Sequence, residues 1–465
     1  MKRYIFWSLC LVLVIITGCS NKAEEAEAVK PEIEIPPNEI ESEESISKIM
    51  TTDKKIALTF NGMADEETMT SLLERLNQLQ IHATFFVQGV KIAEEPEIAE
   101  MILENGHTIQ NNTLNHILVE PIDYEEAYTE LYLTNKVIQE NLDITPQFAR
   151  SRSGDTSPFF ESAAAQLDMQ VVTNTINPRD GDMQSAEEIA EYVRGFMNRG
   201  AIIQLNTYLN PEIIDAVSLI KKDAEEAGYE LTTLEAVVES AYTNPNKEIE
   251  TNKLAVNQDY DQASPQVIEK FQTDEQEVVL TFDDWASDET LSIILDILDD
   301  YQIKATFFVI GKGVEANPQL ARLIIDRGHE VASHSYNHLV VTEMNSLELQ
   351  EDLVKADQVI SNALQEKPKN YFRPAQGLLD DSSANTIAAT GIDYIVLYDI
   401  ASLDWDLNRS EDEIYKRVVD NVESGSIIGM HISDESHTIR VLPRIIENIL
   451  MRGYTFKTVS EMIGD

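Results

Sequence analysis

The alternation of apolar and polar residues predicts strands that alternate with amphipathic helices. Residues 278–282 and 305–310 are short apolar runs rich in β-branched and aromatic side chains, which is typical of buried strands. Leucine and isoleucine recur at helical spacing through residues 291–298, and residues 320–327 form the next helical stretch. This alternation predicts an α/β fold with a parallel sheet wrapped in helices, either open or closed as a barrel.

The same sequence pattern occurs twice along the chain. "QIHATFFVQG" at 80–89 matches "QIKATFFVIG" at 302–311, at an offset of 222 residues (302 − 80 = 222). The segment "ALTFNG" at 57–62 likewise matches "VLTFDD" at 279–284, but the first copy lacks both carboxylates. A period this long indicates duplicated domains rather than a solenoid repeat.

The duplication sets the predicted domain boundaries. We place the first repeat at residues 52–243 and the second at 271–465. The segment 244–270 between them is polar and lacks helical or strand periodicity, so it is predicted to be a linker.

The N-terminus has the features of an export signal. Two basic residues precede an apolar run at 5–16, which is too short to span a membrane comfortably. The run leads into "ITGCS" at 16–20, which resembles a bacterial lipobox whose cysteine carries the lipid. We therefore expect a lipoprotein signal peptide at 1–18, lipid on Cys19 and attachment to the extracellular face of the cell membrane. The alternative is an ordinary signal peptide or short anchor with a chance cysteine.

Residues 19–51 are predicted to be an acidic tether. Within residues 20–50, nine glutamates stand against three lysines. Such a composition buries too little apolar surface to fold. The other cysteine of the chain, Cys10, lies in the segment to be removed, so the mature protein is expected to have no disulfide.

The charge of the chain excludes one class of partner. The formal net charge is −47, and the acidic residues are spread over the whole sequence. A phosphate backbone would be repelled, so we expect no nucleic-acid binding. The acidity is interpreted as an adaptation to high salt or alkaline medium rather than as an acidic binding tail.

Candidate metal ligands follow the predicted strands of the second repeat. Asp283 and Asp284 directly follow the strand at 278–282, and adjacent carboxylates repel each other unless a cation or an arginine compensates. His334 and His338 are four residues apart, which would put both rings on one side of a helical turn. Such a histidine pair alone is as consistent with surface or capping positions as with metal binding. The neighbouring carboxylates favour a metal site.

Five short motifs in the second repeat resemble those of a known family. In order, "TFDD", "HSYNH", "FRPAQG", "SLDW" and "GMH" occupy the span 281–431. They resemble the motifs of NodB-type polysaccharide deacetylases, which form carbohydrate esterase family 4. The resemblance covers essentially the whole second repeat and implies two tandem distorted (β/α) barrels.

The resemblance also implies a role for each matching residue. A divalent metal, zinc or another ion such as Co²⁺ or Ni²⁺, would be bound once per chain by Asp284, His334 and His338. Asp283 would be the general base oriented by Arg373, and His431 the general acid supported by Asp404. Trp405 would wall the site, and the backbone N–H of Gln376 would donate to the oxyanion. These roles agree with the need for a proton donor to the departing amine.

Four residues depart from the family pattern. Ala375 and Gln376 stand where the family often has Pro-Tyr, and Ala401 stands where an aspartate is common. Gly429 replaces a leucine that contacts the acetyl methyl group in the family. These departures leave the metal ligands intact but put the fit of the acyl group in doubt.

The first repeat lacks most of the catalytic set. The positions of Asp283, Asp284, His334 and His431 carry, in that order, Asn61, Gly62, Asn112 and Asn206, whereas His116 and Arg150 are retained. A single imidazole is not enough to hold zinc. We therefore expect an inactive first repeat that either binds glycan or acts as a scaffold.

The sequence thus predicts a membrane-anchored, metal-dependent N-deacetylase. Its expected substrate is an N-acetylated cell-surface glycan, with peptidoglycan favoured because a lipid anchor would place the enzyme beneath the wall. The alternatives are a deacetylase of exopolysaccharide or xylan, and a non-catalytic glycan-binding lipoprotein.

Overall fold

Each repeat folds into a parallel sheet wrapped in helices. The computed structural model describes residues 33–39, 44–120, 122–243 and 249–464. Both sheets and their helices belong to one compact unit, Asn38–Asp465. Among the described residues, no helix combines the length and the apolar character needed to cross a membrane.

The predicted lipoprotein segment lies outside this part of the chain. The signal peptide 1–18, Cys19 and the tether up to residue 32 fall outside the described residues. Their assignment therefore stays a prediction from the sequence.

The first repeat has a seven-stranded sheet with the order β5-β4-β3-β2-β1-β6, and β7 pairs with β1. Its strands are β1 (Lys55–Asn61), β2 (Thr84–Val87), β3 (Thr108–Asn111), β4 (Phe148–Ala149), β5 (Gln170–Val171), β6 (Ile202–Asn206) and β7 (Glu230–Thr232). Its helices are α1 (Glu66–Gln78), α2 (Gly89–Glu94), α3 (Pro96–Glu104), α4 (Tyr124–Leu142), α5 (Pro158–Gln166), α6 (Ala186–Phe196), α7 (Ile213–Glu226) and α8 (Leu234–Val238).

The second repeat has a nine-stranded sheet with the order β14-β15-β9-β10-β11-β12-β13-β8, and β16 pairs with β9. Its strands are β8 (Val267–Ile268), β9 (Glu277–Asp284), β10 (Thr306–Val309), β11 (Glu330–Ser333), β12 (Tyr371–Phe372), β13 (Tyr394–Val396), β14 (Ile400–Ala401), β15 (Ile427–Ile432) and β16 (Thr455–Lys457). Its helices are α9 (Asp288–Asp300), α10 (Gly311–Ala316), α11 (Pro318–Asp326), α12 (Ser346–Leu364), α13 (Asp381–Ala388), α14 (Glu411–Val419), α15 (Thr438–Met451) and α16 (Val459–Ile463).

The topology confirms the predicted fold class. The named strands pair in parallel in both sheets, and within the described residues the outer strands of each sheet do not pair to close a ring. Both sheets are open half-barrels, as expected for tandem distorted (β/α) barrels. The strands predicted at 278–282 and 305–310 are β9 and β10, and the helix predicted at 320–327 is α11.

The two repeats are built around equivalent local contacts. Phe282 and Phe307 stack at 4.9 Å between ring centroids, and Phe60 and Phe85 do the same in the first repeat. The helix after β1 and the equivalent helix after β9 both start at a side-chain cap, because an oxygen of Asp65 or Ser287 accepts a backbone N–H of the first turn. Equivalent core contacts therefore support the carboxyl edge of the sheet in each repeat.

The first repeat begins earlier than the predicted boundary at residue 52. Ile46 donates its backbone N–H to the Val171 carbonyl at 2.8 Å, and Ile49 is buried and donates to the Gly200 carbonyl at 2.8 Å. These apolar side chains cover the end of the sheet, so residues 44–51 belong to the repeat rather than to the tether. The acidic composition gave no sign that residues 44–51 pack on the sheet, because only two isoleucines make the apolar contact.

The segment predicted as a linker, 244–270, is largely part of the second repeat. Within its described portion, the Asn252 side chain donates to Asp357 at 2.9 Å, and Asn257 and Gln350 exchange two hydrogen bonds of 2.8 Å. Val267–Ile268 then forms the edge strand β8 beside β13. Polar side chains make these contacts, so hydrophobic periodicity gave no signal for them.

A buried ion pair joins the two repeats. Arg199 of the first repeat contacts Asp288 at the start of α9 through both carboxylate oxygens, at 2.6 and 2.9 Å. Their side chains are 3% and 2% exposed. Burial alone would raise the pKa of Asp288, but the hydrogen bonds and charge of Arg199 outweigh it and hold the pKa below the usual 3.8.

We predict that Arg199→Ala lowers the free energy of unfolding by about 3–5 kcal/mol, because it leaves the Asp288 charge buried without a partner. Denaturant unfolding measures this loss. Arg194→Ala is the control, since the Arg194–Asp223 pair has a 66% exposed arginine and should cost less than about 1 kcal/mol.

The same ion pair has a definite pH dependence. Because the pKa of Asp288 is lowered by folding, its stabilisation is present above 3.8 and is lost as the pH falls through the lowered value. An Arg199→Ala penalty that stayed constant from pH 7 to pH 2 would contradict the ion-pair assignment.

Candidate active site

The predicted catalytic residues of the second repeat meet at the carboxyl edge of its sheet. Asp283 and Asp284 are the last two residues of β9, and His431 lies directly opposite Asp283 on the neighbouring strand β15. His334 follows β11, and Arg373 follows β12. The carboxyl ends of parallel strands lie on one side of the sheet, which explains why distant residues converge there.

Asp284, His334 and His338 form a cluster with the geometry of a metal site. One ligand atom from each lies within 4.8 Å of the others. The Asp284 Oδ1 atom is 3.8 Å from His334 Nε2 and 3.3 Å from His338 Nε2. This oxygen is buried and has no hydrogen-bond partner among the described residues. A buried carboxylate oxygen without a partner needs a cation, so these residues fit a divalent ion.

The surroundings of His334 prepare it as a ligand. Its Nδ1 atom lies 2.7 Å from the Arg373 carbonyl, which places the proton on Nδ1 and leaves Nε2 free. Burial lowers the pKa of His334 more than the neighbouring carboxylates raise it, so the ring is held in the neutral form. A neutral imidazole is the form that binds metal.

The two histidines do not lie on a helix, which corrects the interpretation of their spacing. Residues 334–338 form a loop in which Ser335 and His338 have positive φ angles of 68° and 57°. This backbone brings the rings to 4.8 Å between centroids. Thr113 and His116 of the first repeat have nearly the same angles, 63° and 57°, so the loop shape does not depend on the metal ligands.

Asp284 occupies a strained backbone position. Its φ is +82°, a region that favours glycine, and Gly62 has the same φ of +82° in the first repeat. Such a conformation costs a non-glycine residue about 1–3 kcal/mol. The glycine in the first repeat therefore removes both a ligand and the strain.

Asp283 is held by a buried arginine. The Arg373 guanidinium donates to the Asp283 carboxylate at 2.7 Å, and the two side chains are 0% and 5% exposed. Arg373 also donates to the Thr281 hydroxyl and to the carbonyls of Val396 and Leu397, and it lies 4.0 Å from the centre of the Phe308 ring. All of its polar contacts thus fix the carboxylate in one orientation.

His431 and Asp404 form the second charged pair. His431 Nδ1 lies 2.7 Å from Asp404 Oδ1, and its backbone N–H donates to Oδ2 at 3.0 Å. Ser402 and Thr438 also donate hydroxyl hydrogen bonds to Asp404. Burial alone would lower the pKa of His431, but Asp404, with Asp283 and Asp284, raises it to about 9. The imidazole is therefore protonated at neutral pH.

The predicted wall Trp405 and the predicted oxyanion donor Gln376 are both exposed. Trp405 is 54% exposed, and its ring centroid is 6.5 Å from that of His431. Gln376 is exposed on a tight turn, Ala375–Gly377, with φ of +60°. Within the described residues its backbone N–H has no hydrogen-bond partner, which leaves it available to a ligand.

Tyr398 was not predicted from the sequence. Its ring occupies the space beside Gly429 where the family has a leucine side chain. A β-carbon placed on Gly429 would lie 2.9 Å from Cδ1 of Tyr398, and one on Gly377 would lie 3.0 Å from the Tyr398 hydroxyl. The ring is also 5.4 Å from the Arg373 guanidinium. The aromatic ring thus takes room that a leucine at position 429 would need. Its position before β14 carries no pattern that would have revealed this contact.

The first repeat keeps the frame of the site without its chemistry. Arg150 is fully buried and makes the same contacts as Arg373, to the Thr59 hydroxyl and to the carbonyls of Val172 and Thr173. Its partner at the base position is Asn61, at 3.4 Å. With no carboxylate beside it, burial lowers the pKa of Arg150 to about 9.

A tyrosine fills the place of the metal in the first repeat. A β-carbon on Gly62 would lie 2.4 Å from Cε1 of Tyr208, whose ring packs edge-on against His116 at 5.7 Å. His116 Nε2 and Asn112 Oδ1 are buried without hydrogen-bond partners in the described structure. Asp180 was not predicted from the sequence. Its carboxylate accepts hydrogen bonds from the backbone N–H and the side-chain amide of Asn206, at 3.0 and 2.6 Å, just as Asp404 accepts from His431.

Comparison with known proteins shows the class of this protein. The family model described as "Polysaccharide deacetylase" matches residues 48–172 and 270–395, more than half of the chain. The chain therefore belongs to the polysaccharide deacetylase family, whose members are hydrolases that act on amide bonds. One matched region lies in each repeat and covers its N-terminal part.

Several characterised proteins are similar to parts of this chain. A peptidoglycan-N-acetylglucosamine deacetylase of Bacillus cereus is 31% identical over 189 residues, which are 40% of this chain and 87% of that protein. A bifunctional xylanase/deacetylase of Pseudobutyrivibrio xylanivorans is 34% identical over 187 residues, 40% of this chain and 30% of that protein. A solved structure of a CE4 family pseudoenzyme from Bacillus anthracis is 28% identical, with a TM-score of 0.40 over 44% of this chain and 70% of that one.

The pair His431–Asp404 gives a testable pH dependence. A general acid acts only when protonated, and the raised pKa of His431 keeps it protonated until the pH rises through about 9. Asp404→Asn removes the adjacent negative charge, so the alkaline limb of kcat/KM should move to lower pH by about 1–3 units. Rates on a soluble N-acetylated oligosaccharide measure this shift.

Asp412→Asn serves as the control for that experiment, because Asp412 is a 71% exposed carboxylate of the same repeat. An alkaline limb that is the same in wild type and Asp404→Asn would show that His431 is not the acid.

Proposed function

We propose that the second repeat removes acetyl groups from N-acetylglucosamine-type residues of a cell-surface polysaccharide, and that this polysaccharide is peptidoglycan. One observation carries the proposal: the Asp284–His334–His338 cluster shares a single strand edge with the pairs Asp283–Arg373 and His431–Asp404. The similarity to deacetylases named for peptidoglycan N-acetylglucosamine supports the choice of polymer.

Different side chains at this strand edge would perform the different steps of amide hydrolysis. A divalent ion, which we propose to be one zinc per chain, would supply Lewis acidity to the water and to the acetamide carbonyl. Asp283, which accepts a 2.7 Å hydrogen bond from Arg373, accepts the proton of the attacking water. His431, kept protonated by Asp404, donates a proton to the departing amine, which cannot leave as an anion. In this proposal the free N–H of Gln376 donates to the carbonyl oxygen, and Trp405 packs on the sugar.

A second candidate is deacetylation of another polymer, such as exopolysaccharide or xylan. The similarity to a bifunctional xylanase/deacetylase favours keeping this possibility. A purely glycan-binding role for both repeats is less well supported, because the second repeat holds the base, the acid and the metal cluster together. Acetate release from isolated wall, chitooligosaccharides and acetylated xylan distinguishes the three.

We further propose that the first repeat is catalytically inactive. It has asparagine at the base and acid positions, and Tyr208 fills the space of the metal. Rebuilding the cluster there would need more than the missing ligands, since the aromatic ring would also have to leave.

The final part of the proposal concerns location. We propose that Cys19 carries a lipid that holds the enzyme on the extracellular face of the cell membrane, with no nucleic-acid partner. The "ITGCS" sequence after the apolar run supports this assignment. An anchored enzyme would reach the inner face of the wall.

The division of labour between the adjacent carboxylates can be tested directly. Asp283→Asn should retain one zinc per chain yet reduce turnover by about 10²- to 10⁴-fold, because only the base is lost. Asp284→Asn should lose metal and activity together. Elemental analysis and acetate release on the same preparations measure both properties.

His431→Asn, which reproduces the residue found at Asn206, should keep the metal and lose turnover. Two zinc ions per wild-type chain would refute the inactive first repeat. Loss of metal in Asp283→Asn but not in Asp284→Asn would reverse the two carboxylate roles.

The anchor is tested by Cys19→Ala. We expect this variant to appear in the medium or to remain unprocessed, since no residue is left to accept the lipid. Fractionation of cells into membrane and medium, with Cys10→Ala as the matched control, measures the change. A Cys19→Ala protein that has been processed to mature size and still sediments with membranes as wild type does would contradict lipidation at this residue.

A further inference from the structure

The cleft of the first repeat has the same frame as the active site but the opposite charge. Two carboxylates of the second repeat, Asp283 and Asp284, are replaced by neutral Asn61 and Gly62. When the two repeats are aligned on their buried arginines, Arg150 matches Arg373. Arg152 then matches Ala375, because each lies two residues further on.

A second arginine is added on the other side of the same cleft. Arg179 precedes Asp180 as Leu403 precedes Asp404, and both have positive φ angles, 55° and 60°. The equivalence is supported by the matching bonds of Asp180 and Asp404 to the residues on the facing strand. Two carboxylates have thus been lost and two guanidinium groups gained within one frame.

Both arginines are available to a ligand. The side chains of Arg152 and Arg179 are exposed and make no ion pair within the described residues, although the chain has a net charge of −47. They line an open cleft of about 370 Å³. One carboxylate, Asp182, also lines it, while the buried Asp180 is occupied by its bonds to Asn206. Unpaired cations in so acidic a protein favour an anionic ligand.

The remaining lining suits a sugar. Tyr208 fills the place of the metal yet is 39% exposed, and Leu118 and Leu209 are 50% and 49% exposed beside it. Amide side chains of Asn177 and Gln204 lie on the same cleft. An aromatic ring for stacking, with amides and guanidinium groups around it, is suited to a polyhydroxylated ring that bears a negative charge.

We propose that the first repeat binds, without hydrolysing it, a glycan strand that carries carboxylate groups. Arg152 and Arg179 pair with the carboxylates, and Tyr208 packs beneath a sugar ring. The choice of a wall glycan rests on the proposed function of the second repeat, whereas the anion site itself rests only on the first repeat.

The test compares binding by the full-length protein with three soluble probes. These are an oligosaccharide of alternating N-acetylglucosamine and N-acetylmuramic acid, neutral chitotetraose, and poly(glycerol phosphate). The double variant Arg152→Gln/Arg179→Gln should bind the muramic-acid probe at least tenfold more weakly than wild type, as expected when charge-assisted hydrogen bonds to a carboxylate are lost. Added salt should weaken wild-type binding more than that of the variant.

The control removes the same two charges outside the cleft. Arg194→Gln/Lys222→Gln changes exposed side chains paired with Asp223 and Glu226 and should bind the probe as wild type does. Deacetylation of chitotetraose should be equal in all three proteins, since the second repeat is unchanged. Loss of that activity in every protein would count against the proposed function and not against the anion site.

Unchanged binding of the muramic-acid probe by Arg152→Gln/Arg179→Gln would overturn the proposal. So would an arginine-dependent preference for poly(glycerol phosphate), which would make phosphate the ligand. Equal loss in the control pair would also overturn it, because the effect would then reflect overall charge.

Discussion

A buried arginine beneath the carboxyl edge of each sheet is the constraint on which both sites depend. Arg373 joins β9 to the carbonyls of Val396, at the end of β13, and Leu397, just after it. It needs a negative partner, since an unpaired charge in the interior is costly. Asp283 is that partner. The residue that pairs with the structural arginine is therefore also the residue that we propose as the base.

The first repeat shows what happens when this partner is removed but the arginine stays. Arg150 keeps its bonds to two carbonyls and a hydroxyl, so the sheet edge retains its shape. Because the shape is retained, the cleft of the first repeat can hold different side chains. Tyr208 packs against Gly62 and His116, and two arginines line the rim. One frame thus supports a cluster suited to a cation and a cleft suited to an anion.

The contact between the repeats lies close to the catalytic strand. Asp288, which pairs with Arg199, is four residues after Asp284, and the Ser287 side chain between them bonds Asp434 in the loop after His431. The N-terminus of α9 is thus fixed from both sides. This arrangement makes the first repeat a structural support of the second in addition to its own proposed binding role.

The sequence alone determined the duplication, the α/β class and the residues of the second site, because repeats and ordered motifs are local patterns along the chain. Asp283, Asp284 and His431 could be placed at strand ends for the same reason. The loop that carries His334 and His338, the ring of Tyr398 beside Gly429 and the packing of 44–51 were decided only by the tertiary structure. Each depends on contacts between residues far apart in the chain, and neither periodicity nor spacing records which side chain fills a given space.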